Sequence, residues 1–141
     1  MIMIKALKVY VAGRVDPNSS FGRHDWRDDF CKELSDKSGY GVVNLDPTKR
    51  EEKYFATDKD SSAAIFGRDC FMIRMSDLVI VNLTDDISVG SSQEMLIAKY
   101  YKKPLIGIAL KGGKFNKSEK DIRGYIYKNY IHPFVAITCD A

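Results

Sequence analysis

The chain has 141 residues, 45% of them hydrophobic and 29% charged, with a net charge of +3. That is one domain's length, too apolar for disorder and large enough for a proper core. Lys and Arg are scattered, and Lys99, Lys102 and Lys103 read as a solvated helix end, so neither a nucleic-acid polymer nor a membrane is an expected partner; no run approaches the ~20 apolar residues of a span.

Met1 to Lys5 lead straight into the first apolar run, Leu7 to Ala12, without the cleavage site of a secretory leader. This run ends at Gly13 and reads as a strand. Trp26 to Lys37 reads as a helix, and Val42 to Leu45, closed by Asp46-Pro47, as a second strand. The polar stretch Lys49 to Asp60 reads as a loop near the same rim, followed by a helix over Ser62 to Met75. Leu78 to Leu83 (LVIVNL) is almost continuously apolar, the mark of a strand covered on both faces. A helix over Ser92 to Lys102 comes next. Pro104 then introduces a strand at Leu105 to Ala109, which closes near Gly112-Gly113. A helix over Ser118 to Tyr130 and a strand at Phe134 to Thr138, introduced by Pro133, complete the expected elements.

Strict β-α alternation with short connections implies a single doubly wound α/β domain over residues 1–141. The expected sheet is five-stranded and mostly parallel, in the flavodoxin-like order 2-1-3-4-5, with helices on both faces and the third strand central. Ligands of such sheets bind beyond the carboxyl ends of the strands at the switch point, here the first and third. That places the crevice at the loops Gly13 to Asp25 and Thr84 to Ser92. Cys31, Cys70 and Cys139 are odd in number and lack CxxC or metal-ligand spacing. They read as core thiols in a reducing, cytoplasmic compartment, and no metal or cofactor is expected.

Three residues fit poorly into a purely structural account. On a helical wheel Asp69 falls among Ile65, Phe66, Met72 and Ile73, an apolar arc where a carboxylate needs a partner or a wet cavity. An ion pair with Arg68 or Arg14 and a functional role both satisfy that need. Glu94 lies at the start of the helix following the third strand. It either completes an S-x-x-E capping box with Ser91 or faces the crevice. Tyr10, near the crevice end of the first strand, is either core or the partner of a crevice carboxylate. The intervening loop offers Ser88, Gly90 and Ser92, whose hydroxyls and backbone N–H groups suit a sugar or an oxyanion.

Taken together, Val9-Tyr10-Val11-Ala12-Gly13, Arg68-Asp69 with Asp77-Leu78-Val79, and Ser88-x-Gly90-x-x-x-Glu94 resemble the nucleoside 2-deoxyribosyltransferase-like family. That family includes 2'-deoxynucleoside 5'-monophosphate N-glycosidases and CMP hydrolases. The resemblance covers roughly residues 7 to 110. It implies Glu94 as the nucleophile at the anomeric carbon and Asp69 as the acid beside the base. Tyr10 would be the hydroxyl that bonds the nucleophile, and Ser88 would contact a 5'-phosphate. Gly13, Arg14, Gly90 and Ser92 stand beside these as candidate substrate contacts, Arg14 as a phosphate fork or a surface ion pair.

Two carboxylates flanking a glycosidic carbon suit a retaining mechanism, and an acid kept neutral by apolar surroundings suits Asp69. The resemblance therefore implies an N-glycosidase acting on a (deoxy)nucleoside 5'-monophosphate. The alternatives are transfer of the sugar to a second base and an inactive nucleotide-binding module. Gln93-Glu94-Met95-Leu96 stands where members often carry an aromatic residue before the glutamate and Leu-Gly after it, which favours the module. Family sites are completed across a subunit interface, so at least a homodimer is expected. Tyr100-Tyr101 and Tyr125 to Tyr130 read as helix faces.

Overall fold

The computed structural model describes residues 5–14, 26–49, 59–84 and 86–141. Most of the expected loops Gly13 to Asp25 and Lys49 to Asp60 lie outside the described residues. The elements in chain order are β1 (Leu7–Ala12), α1 (Trp26–Ser38), β2 (Val42–Asn44), α2 (Lys59–Met75) and β3 (Leu78–Leu83). They continue with α3 (Val89–Tyr100), β4 (Leu105–Ala109), β5 (Asn116–Ile122), β6 (Tyr125–Ile131) and α4 (Pro133–Thr138). None of the described helices is long and apolar enough to cross a membrane.

Four strands form one parallel sheet in the order β2-β1-β3-β4. Tyr10 lies opposite Val79, Val9 opposite Leu78 and Val81 opposite Gly107. Side chains alternate between the faces. Tyr10, Ala12, Val79, Val81 and Leu83 pack with Ile73 of α2 and Met95 and Ala98 of α3, while Val9, Val11 and Ile80 pack with Cys31, Trp26 and Phe30 of α1. Both faces of β1 and β3 are thus apolar, which explains why their sequences read as nearly unbroken apolar runs.

The sheet has four strands, not the five expected, and the chain after β4 departs from the expected order. The anticipated helix Ser118 to Tyr130 is an antiparallel hairpin of β5 and β6. Its Arg123-Gly124 turn has φ of 55° and 86°, and Asp121 accepts the Gly124 N–H at 2.8 Å. A two-residue turn with both φ positive matches the twist of a hairpin, and the β-branched and aromatic run Tyr125 to Ile131 suits a strand. Tyr125 to Tyr130 therefore form part of a strand rather than a helix face.

The anticipated strand Phe134 to Thr138 is α4, with Pro133 in its first turn. Proline's fixed φ and missing N–H suit that position as well as they suit a strand's entry. The outer edge of β4 is met by the residues after α4. Asp140 donates its N–H to Leu105 O at 2.7 Å, and Gly107 donates to Ala141 O at 2.8 Å. The Asp140 carboxylate also accepts the Leu105 N–H at 2.9 Å. These bonds satisfy edge groups that a fifth strand would otherwise have paired.

Candidate active site

The site is assembled from β1 and the seam between α2 and α3. Ser88 caps α3: its hydroxyl accepts the Ser91 N–H at 3.2 Å and donates to the Ser91 hydroxyl at 2.9 Å. This cap overturns the capping-box reading of Glu94. A box on Ser88 would place its acid at position 91, where the chain has a buried serine. Glu94 lies well inside the helix and is free to point elsewhere.

It points at Tyr10. The tyrosine is fully buried in the middle of the sheet, and its hydroxyl donates to Glu94 Oε1 at 2.7 Å. Burial is the largest influence on Glu94 and raises its carboxyl pKa. The Tyr10 hydrogen bond opposes that rise, the Asp69 charge adds to it, and the Arg27 charge opposes it. The Tyr10 phenol is pushed far above its ordinary value, first by burial and then by Glu94 and Asp69. Tyr10 is therefore a permanent donor to the glutamate.

Asp69 meets Glu94 across the seam. Positions 62, 65, 66, 69, 70 and 73 of α2 and 90, 93, 94 and 97 of α3 follow the spacing by which two helices normally interlock apolar side chains. Here the seam instead encloses a cavity of about 240 Å³, with both carboxylates on its lining. Asp69 also pairs with Arg68, whose guanidinium donates from Nε at 3.1 Å and from Nη2 at 2.8 Å. Arg68 Nη2 reaches the Pro47 carbonyl as well, tying α2 to the chain beyond β2. Asp69 is thus ion-paired and also lines the cavity. A guanidinium therefore stands beside Asp69 in addition to the apolar arc on which it sits.

The remaining candidates separate. Gly90 lines the cavity with open space around its Cα. Ser88 is taken up by its capping bonds, and exposed Ser92 donates to Val89 O at 2.8 Å; neither is among the cavity residues. Gly13 is buried with a structural duty, since a Cβ there would lie 3.0 Å from the Trp26 ring and 3.2 Å from Asn82 Cβ. Arg14 is exposed near Asp86, whose carboxyl is held below its ordinary range first by Lys114, then by the Ile87 N–H and, more weakly, by Arg14. Leu96, standing where the resemblance would place a glycine, is 65% exposed, so its side chain obstructs no packing.

Sequence reasoning missed Arg27. It is 1% exposed at the start of α1 and donates to Val11 O at 3.0 Å and Gly13 O at 2.7 Å, with its guanidinium 4.6 Å from the Trp26 ring centre. It fixes the carboxyl end of β1 and places a positive charge near Tyr10 and Glu94. The Arg27-Cys31-Leu34 spacing puts Arg27 on the inner face of α1, and that signal was available. Among the described residues, no three His, Cys, Asp or Glu side chains gather as metal ligands. Neither a protein-family model nor a curated protein matches this chain. The family likeness rests on the residues themselves.

Proposed function

We propose that this protein is an N-glycosidase that opens the base–sugar bond of a (deoxy)nucleoside 5'-monophosphate through a glycosyl ester on Glu94. The observation that carries the reading is the hydrogen bond from buried Tyr10 to Glu94, which lines one cavity together with Asp69. A helix seam gains no packing from two partly buried carboxylates, and partly desolvated acids facing one cavity are what acid and nucleophile roles require.

In the proposed reaction a Glu94 carboxylate oxygen bonds to the anomeric carbon as the C–N bond breaks. The electron pair leaves with the base. The protonated Asp69 carboxyl gives the base its proton; water then attacks the anomeric carbon, its oxygen displacing Glu94 while its proton returns to Asp69, and the free sugar phosphate leaves. Tyr10 stabilises the carboxylate before attack and the leaving carboxylate afterwards. Because Ser88 is engaged as the helix cap, support for phosphate recognition shifts to the first-turn N–H groups of Val89 and Gly90, which have no carbonyl partner within the helix. Transfer to a second base differs only in the acceptor that opens the ester.

The test is release of free base from nucleosides and 5'-monophosphates, resolved by chromatography, with Glu94→Gln as control. Cleavage by the wild type and loss of several orders of magnitude in the variant are expected, since an amide cannot form the ester. A quenched reaction with a slow substrate should leave sugar mass on the peptide carrying Glu94. Sugar on the peptide carrying Asp69 would exchange the roles of the two acids. Undiminished turnover by Glu94→Gln would remove the reading.

A further inference from the structure

The cavity is smaller than the roughly 300–1,000 Å³ typical of drug-sized ligands, at about 240 Å³. Its walls are largely apolar, from Ile65, Phe66, Ile73 and Ile97. That shape and lining suit one planar ring system, with anything attached to it lying toward solvent. Most polar groups on the lining already have partners: Glu94 has Tyr10, Asp69 has Arg68, and Ser62 is also engaged. The Cys70 thiol is a weak donor, raised in pKa by burial and by the two carboxylates. Gln93 differs. It lines the cavity, and among the described residues nothing hydrogen-bonds its carboxamide.

We infer that Gln93 selects the leaving group by hydrogen-bonding the edge of a planar heterocycle that presents an N–H or NH2 beside an acceptor atom. A carboxamide offers one donor and one acceptor side by side, which is the complement of such an edge. A half-turn of the amide exchanges the two, so Gln93 serves either order of donor and acceptor. It therefore selects a class of heterocycle rather than one base. The apolar side chains cover the ring faces, and a ring with its edge blocked displaces water from the amide without replacing its hydrogen bonds. Gln93 is exposed and Met is a good helix former, so Gln93→Met removes both hydrogen-bonding atoms at little cost to α3. The inference rests on the glycosidase reading for the fate of the ring, whereas binding of a free base does not require turnover.

The experiment titrates the full chain, labelled with nitrogen-15, with adenine, hypoxanthine, cytosine and uracil, and with the edge-blocked N6,N6,9-trimethyladenine and 1,3-dimethyluracil. The Gln93 side-chain NH2 signals are assigned from their loss in Gln93→Met. At least one unblocked base should shift that pair, and Gln93→Met should weaken its binding about tenfold while changing the blocked analogue less than about twofold. Unchanged affinity in Gln93→Met, or base binding that leaves the Gln93 signals unmoved, would overturn the inference. Base binding through Gln93 without cleavage of any nucleotide would uphold it and remove the glycosidase reading. Cleavage with the same base preference in Gln93→Met would do the reverse.

Discussion

Two carboxylates in one cavity differ by their neighbours. Asp69 faces a guanidinium, while Glu94 is held by a neutral phenol and pushed toward protonation chiefly by burial. Because its folded-state pKa lies above the unfolded one, the folded protein binds more protons in the window between them. The Glu94 contribution to stability should therefore be fully present below the ordinary carboxylate range and be lost as pH rises through the raised pKa. Glu94→Gln should lack this fall. Urea unfolding of wild type and variant from pH 4 to 8 would show the variant gaining relative stability as pH rises, whereas parallel profiles would contradict the burial argument. Activity should run the other way, with an acid limb above the ordinary glutamate range. Tyr10→Phe removes the donor that stabilises ionised Glu94. It should move that limb upward and lower kcat/KM by about ten- to a hundredfold, equivalent to about 1.5–3 kcal/mol. The pH profile separates this effect from simple loss of packing.

Element by element, α3 shows how a local choice aims a distant side chain. Starting the helix at Val89 rather than Ser92 turns Glu94 from a possible cap into a residue of the α2 seam. The starting point depends on which serine accepts an N–H. Ser88, Ser91 and Ser92 offer the same hydroxyl, and the burial of Ser91 within the first turn decides among them. Ser88→Ala should cost about 1 kcal/mol in chemical unfolding. It should also reduce activity by loosening the first turn, where Val89 and Gly90 present their N–H groups. Ser92→Ala, at an exposed position, should leave both properties nearly unchanged. The β5–β6 hairpin carries an equally local instruction in Arg123-Gly124. Gly124→Val would force a β-branched residue to φ 86° and should cost about 1–2 kcal/mol, read as a lowered urea midpoint.

On the scale of the whole molecule, the surface is richer in large apolar side chains than a solitary domain requires. Phe134 and Ile137 of α4 are 78% and 73% exposed, and Tyr125 and Ile126 of the hairpin are also open, as are Phe66, Leu96 and Tyr100 on the α2–α3 side. Patches of this kind mark association sites on soluble proteins. At least a homodimer is therefore expected at micromolar concentration in sedimentation velocity. Ile137→Lys and Leu96→Lys should separate the two candidate faces, because only the substitution on the buried face should shift the protein toward monomer. A wild-type monomer retaining full activity would contradict the expectation of a shared site.

What the sequence determined by itself is what nearest-neighbour chemistry encodes. The largely apolar runs of β1 and β3 mark strands because an inner parallel strand is covered on both faces, and Pro104 with the apolar run after it marks β4. Trp26 onward, Ser62 onward and the segment before Pro104 mark helices by their periodicity. Asp69 was visible as an acid on an apolar arc. Other features needed the assembled chain. Pro133 suits a strand's entry and a helix's first turn equally, and only the bonds of Asp140 and Ala141 to β4 show how that edge is met. The hairpin was written in Arg123-Gly124, but its charged first strand has no alternating apolar face, because β5 and β6 stand largely exposed outside the main sheet. The spacing of Arg27 with Cys31 and Leu34 places it on the inner face of α1, but its partners, the Val11 and Gly13 carbonyls, emerge only when β1 is in place. The pairing of Tyr10 with Glu94 joins residues 84 positions apart. No local pattern can specify such a contact: the Ser88 cap frees the glutamate from the helix end, and the packing of α3 against β1 brings it to Tyr10.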